Sequence, residues 1–176
     1  MKEFIEFAEA VITTATTAKR TMCAHEGGPA DGMPLLIWET KEETLIIPVP
    51  VPDNEEASFP EVMDYVLKEI WTELGTPING AIVTEAFVQN MNATERTSVK
   101  RGSLAKEFSE NPKDIGECLV VFAFNTAGRI RHSVSNYKYN DIGQPEFDEV
   151  AHSEGDDCRG QLTEVVRAFL DLINVR

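Results

Sequence analysis

The residue of this 176-residue chain whose setting most invites chemistry is Glu85. It interrupts the apolar run Ala81-Ile82-Val83-Thr84-Glu85-Ala86-Phe87-Val88, where Ala81, Val83 and Phe87 share its side of an extended strand. Shielded from water, a carboxylate in such a place is a candidate proton-transfer group. Turned to solvent, it would instead pair across the sheet with Arg129, Arg131 or Lys138, which is the commoner arrangement. Three histidines offer metal ligands: His25 near Glu26 and Asp31, His132 in a predicted strand, and His152 near Glu154, Asp156 and Asp157. A hydrolytic metal centre needs several such groups at one point. The spacing supplies no H-E-x-x-H and no H-x-H, so His25, His152 and Asp156 stand as candidate ligands, with Glu85 and His132 as candidate catalytic groups, against a background of solvated acidic loops.

Other chemistries find less material. The chain has no G-x-S-x-G elbow, no G-x-x-x-x-G-K-[ST] and no G-x-G-x-x-G, so neither a serine nucleophile nor a glycine-rich phosphate cradle is indicated. Cys23, Cys118 and Cys158 are odd in number and far apart, which fits neither a disulfide framework nor a zinc knuckle. Reduced thiols and no cofactor are expected.

Charge narrows the partners. Thirty acids against sixteen Lys and Arg give a net charge of −14, which repels phosphate backbones and anionic lipid. Nucleic acid and membranes are therefore disfavoured. The exception is the stretch 89–116, a long polar loop carrying Arg96, Lys100 and Arg101, where an anion would most readily meet the chain. No run reaches the roughly 18 apolar residues of a membrane helix, and Glu3, Glu6 and Glu9 stand where a signal peptide would be apolar, so a cytoplasmic location is expected.

The elements that must position these residues follow from periodicity. Phe4, Ile5, Ala8, Val11, Ile12 and Ala15 predict a helix from Lys2 to about Arg20, weakened by Thr13, Thr14, Thr16 and Thr17 and fraying near Lys19. Residues 1–22 followed by the Gly27-Gly28 turn read as an arm that could dock elsewhere, with Phe4, Phe7 and Val11 as an oligomer face. Pro34 to Thr40 and Thr44 to Pro52 form a predicted hairpin, in which Pro48, Pro50 and Pro52 remove donors from one side and so mark an outer sheet edge. Ser58-Phe59-Pro60-Glu61 is a capping-box pattern opening a helix that Gly75 and Pro77 stop. Strands follow at 80–88, 118–124 and 129–139, then an acidic loop at 141–159 and a closing amphipathic helix from Leu162 to Ile173. The order α-β-β-α-β-β-β-α predicts a single α+β domain over 1–176, a mostly antiparallel sheet of about five strands with helices on one face.

The succession Leu35-Leu36-Ile37-Trp38-Glu39-Thr40, the proline-edged strand, the helix, Ile82-Val83-Thr84-Glu85-Ala86-Phe87 and the final hairpin resembles small uncharacterised proteins of bacteria and their phages, over about Pro34 to Tyr139. That resemblance implies an accessory gene product and no particular activity. Together these features point to an accessory protein acting by protein binding or self-association as a homo-oligomer. A small metal-assisted hydrolase is the alternative, and an acidic nucleic-acid mimic a second one.

Overall fold

The central strands are apolar on both sides of the pleat, and this decides the architecture. The computed structural model describes residues 2–51, 57–89 and 115–174. Its elements are α1 (Lys2–Glu26), β1 (Leu35–Glu39), β2 (Thr44–Pro48), α2 (Phe59–Leu74), β3 (Asn79–Gln89), β4 (Ile115–Asn125), β5 (Ile130–Tyr139), β6 (Pro145–Phe147), β7 (Ala151–Glu154) and α3 (Gln161–Asn174). Seven strands make one sheet in the order β2-β1-β3-β4-β5-β6, and β7 lies beside β6 against the same strand, β5. All of these pairings are antiparallel.

The α+β class is as expected, and two details differ. The sheet is wider than five strands because β6 and β7 arise within 141–159, which reads as loop; they add only three and four residues. Helices cover both faces, not one. Leu36, Trp38, Ile82 and Phe124 point to one side and pack with Met63 and Leu67 of α2 and Val166, Phe169 and Leu170 of α3. Their neighbours Ala81, Val83, Leu119, Val121 and Ala123 point to the other and pack with Phe4, Ala8, Val11 and Ile12 of α1. With one helical layer alone, the second set would lie bare to water.

α1 also runs six residues past the predicted end near Arg20. Its threonines are accommodated by bonding backwards: Thr16 and Thr17 donate to the Thr13 carbonyl and Thr21 to that of Thr17. Packing on the sheet supplies what propensity lacks. α2 starts as read, with the Glu61 carboxylate accepting from the Ser58 N–H at 2.7 Å and the Ser58 hydroxyl at 2.8 Å. Those bonds, the backbone one first, hold the Glu61 carboxyl below the usual range.

β2 is an edge strand, as its prolines require. The Val49 N–H donates to the Pro34 carbonyl, so odd-numbered residues of this segment bond inward and even-numbered ones face outward. Pro48 and Pro50 thus remove two of the four outward donor positions from Thr44 to Pro50, leaving Thr44 and Ile46. The strand ladder ends at Pro48, Val51 is 56% exposed, and Pro52 lies outside the described residues.

One glycine is indispensable to the α2–α3 side. Gly80 of β3 stands opposite Trp38 of β1 and Phe124 of β4. A Cβ there would lie 2.3 Å from the Phe124 ring, which itself packs edge-on against Phe169.

Candidate functional site

Glu85 lies on the α1 face of β3, opposite Leu119 of β4. It is not the solvent-facing partner of Arg129, Arg131 or Lys138. Its side chain is 19% exposed, and Lys19 of α1, with a side chain 2% exposed, reaches it at 2.7 Å through Nζ and Oε2. Lys19 holds a core-facing place on a helix stripe that otherwise buries Ala8, Val11, Ile12 and Cys23. Two further donors fix the carboxylate: the Tyr137 hydroxyl gives to Oε2 at 3.0 Å and the Gly32 N–H to Oε1 at 3.0 Å.

The ammonium has its own surroundings. Nζ also donates to the Ala30 carbonyl, in the segment between α1 and β1. It lies 5.2 Å from the centre of the Tyr137 ring and 5.7 Å from that of Tyr139, within cation–π range. Burial opposes the positive charge on Lys19, yet the hydrogen bond and charge of Glu85, with the Tyr139 hydroxyl nearby, outweigh it and hold the pKa above the ordinary lysine value. Burial, then the neighbouring carboxylates Glu117 and Glu85, pushes the Tyr137 phenol far up, so it stays a neutral donor.

The close approach of the 28–34 segment depends on Gly32. A Cβ at this position would meet Glu85 Oε1 at 2.8 Å. Two clefts share Gly32 and Glu85 as a wall. One, of about 210 Å³, runs beneath the C-terminal half of α1 and is lined chiefly by apolar groups, among them Ala15, Met22, Met33, Leu35 and Val83. Met33 is 62% exposed at its mouth. The other, of about 160 Å³, is acidic, with Asp31, Glu85 and Glu117 beside Tyr137.

The histidines do not meet. His132 points to the α3 side of β5, where its Nε2 is 3.0 Å from Thr163 Oγ1 and its ring packs edge-on against Phe122. Burial first, and the Arg167 charge second, lowers its pKa to about 4, so it is a neutral core residue. His152 on β7 pairs with Ser133, whose side chain lies on the opposite face, at 2.9 Å. Its pKa is lowered by burial and by Arg131, against the pull of Glu9 and Glu154. His25 is exposed in the last turn of α1. Asp156, also exposed, stands 3.9 Å from Arg167. Among the described residues no three His, Cys, Asp or Glu side chains converge as a metal would require.

Phe4 and Val11 are 3% and 7% exposed and Phe7 packs against the same cluster, so the expected oligomer face is spent on the chain's own sheet. Arg96, Lys100 and Arg101 lie outside the described residues; the long loop is narrower than 89–116, because Gln89 and Ile115 still pair. Cys23, Cys118 and Cys158 are buried and unpaired, and burial pushes the Cys118 thiol up to about 11. No helix among the described residues is long and apolar enough to cross a membrane.

Lys19, Tyr137 and Gly32 escape a reading for catalytic motifs. The signal was a pair of anomalies: a cation on the apolar stripe of a helix and a carboxylate on the apolar side of a strand, each needing the other. No protein family, curated protein or solved structure matches the chain.

Proposed function

We propose that the protein is an accessory recognition protein of the cytoplasm, which binds a basic segment of a protein partner at the two clefts flanking Glu85. The observation that carries this reading is the juxtaposition of an apolar cleft, rimmed by Met22 and the exposed Met33, with an acidic one across a shared wall. Unbranched thioethers adapt to varied apolar side chains. Asp31, Glu85 and Glu117 favour an adjacent lysine or arginine, in keeping with the net charge of −14. The apolar cleft is smaller than the roughly 300 Å³ at which drug-sized ligand sites begin, and suits one leucine-sized side chain.

The hydrolase alternative loses its support from the separate placements of His25, His132 and His152. Glu85, held by three donors, is an anchor in this arrangement.

The test is a titration of the protein, labelled at its methionine ε-methyls, with a short acetylated peptide alternating leucine and lysine. Saturable shifts at Met22 and Met33, with a dissociation constant on the order of 100 µM, are expected. Absence of saturable shifts, or equal shifts with a leucine–glutamate peptide, would overturn the reading.

A further inference from the structure

The groups around the Lys19 ammonium have contacts of their own besides Lys19, the Tyr137 ring packing on Tyr139 and Phe147. Glu85 Oε2 faces the nitrogen at 2.7 Å, the Ala30 carbonyl accepts a second proton, and the Tyr137 and Tyr139 rings flank it at 5.2 and 5.7 Å. The carboxylate is held in place by Tyr137 and Gly32, not by Lys19 alone. A carboxylate, a carbonyl and two aromatic faces make a receptor for a primary ammonium: hydrogen bonds select a donor, and the rings select a cation.

The lysine that fills it sits on the looser half of α1. Phe4, Ala8, Val11 and Ile12 fasten the N-terminal half, whereas from Thr13 to Glu26 the buried residues are Lys19 and Cys23. The 210 Å³ cleft lies under Ala15, Ala18, Lys19 and Met22, so this half spans a void. Gly27, at φ 72°, ends the helix.

We infer that this is a binding site for a primary ammonium, occupied in this conformation by the chain's own Lys19 as a stand-in, and that a lysine side chain of the basic partner segment takes it over when the C-terminal half of α1 lifts. A tethered lysine competes at an effective concentration in the mM range, so the incoming one must bring an apolar neighbour for the adjoining cleft. Only the identity of the incoming group rests on the proposed function.

The ammonium site is tested with Lys19→Ala, which removes the stand-in and leaves a channel the size of n-propylammonium. Thermal melts are recorded in n-propylammonium, tetramethylammonium and sodium chloride at equal ionic strength. At ten times its dissociation constant propylammonium raises the midpoint by about 4 °C, and the other two salts do not. The double variant Lys19→Ala/Glu85→Gln shows no such rise. An equal response to all three salts, or a rise that survives in the double variant, overturns the site. Should Lys19→Ala fail to fold in sodium chloride, recovery of far-ultraviolet helicity on refolding in propylammonium, and not in tetramethylammonium, is the expected result, and no recovery overturns it. The second arm titrates the leucine–lysine peptide into both chains. Binding about tenfold tighter to Lys19→Ala supports displacement of the stand-in. Equal binding to the two overturns the takeover while leaving the proposed function standing, and a peptide that binds neither overturns the proposed function, whereupon the salt series alone decides the ammonium site.

Discussion

Neutralising Glu85 should destabilise the fold more than removing Lys19, although both changes break the same contact. At 2.7 Å and an effective dielectric near 20, the gross attraction is about 6 kcal/mol. Most of it offsets desolvation, so the pair adds little net stability, while stranding one partner is costly. In Glu85→Gln the stranded group is an ammonium 2% exposed, left with neutral acceptors and two rings but no counter-charge, and a loss of about 3 kcal/mol is expected. In Lys19→Met the stem is kept and the stranded carboxylate, 19% exposed, retains Tyr137, Gly32 and access to water, so about 1.5 kcal/mol is expected. The double variant strands no charge and should cost about 1.5 kcal/mol instead of the roughly 4.5 kcal/mol of two independent changes, a coupling of about 3 kcal/mol. Urea unfolding of the four chains measures this, provided the slope stays constant and only the midpoint moves. Costs that add to within about 0.5 kcal/mol, or a Glu85→Gln loss smaller than that of Lys19→Met, would refute the reasoning.

Gly80→Ala forces a Cβ to within 2.3 Å of the Phe124 ring, wedged against Phe169, and should cost about 2 kcal/mol, seen as a midpoint lowered by about 6 °C in calorimetry; an unchanged midpoint would contradict the packing described. His132 gives a pH signature: its folded pKa near 4 lies below the ordinary 6.5, so the unfolded chain takes up the proton first. Its stabilising contribution is complete above about pH 6.5 and fades as the pH falls toward 4, by about 1.5 kcal/mol between pH 7 and 5 after allowing for partial screening. The urea midpoint of His132→Gln should fall less over that interval than that of the parent chain, and parallel curves would remove His132 as the cause. Gly32→Ala should displace the Glu85 carboxylate and lose the Gly32 N–H bond, visible as a chemical-shift change at the Tyr137 ring; an unaltered Tyr137 would show that the 28–34 segment does not depend on this contact.

Elements governed by local rules were legible from residues alone. The Ser58–Glu61 cap and the Gly75 stop each depend on neighbours within a few positions, and both form as read, while the edge marked by Pro48 forms at β2. Short strands are different. β6 and β7 carry no periodicity of their own and exist because β5 presents an open edge to them, so a reading of 141–159 as acidic loop follows from its polarity. The two-faced sheet was written in β3 and β4, where both parities are apolar, but α1 looks like any amphipathic helix until its target is known. Threonines argued for fraying near Lys19, whereas burial of that lysine on Glu85 extends the helix to Glu26. Lys19 and Glu85 lie 66 positions apart, beyond the reach of any spacing rule. Each charge in an apolar stripe asks for a partner, and only the fold says which.

The most direct test is nitrogen-detected NMR of the lysine side chains at neutral pH. Held on Glu85 between two tyrosine rings, the Lys19 ammonium should give a slowly exchanging signal resolved from the other lysines, with contacts to ring protons of Tyr137 and Tyr139 that vanish in Glu85→Gln. A Lys19 signal within the envelope of solvent-exposed lysines, free of tyrosine contacts, would contradict the account at its root.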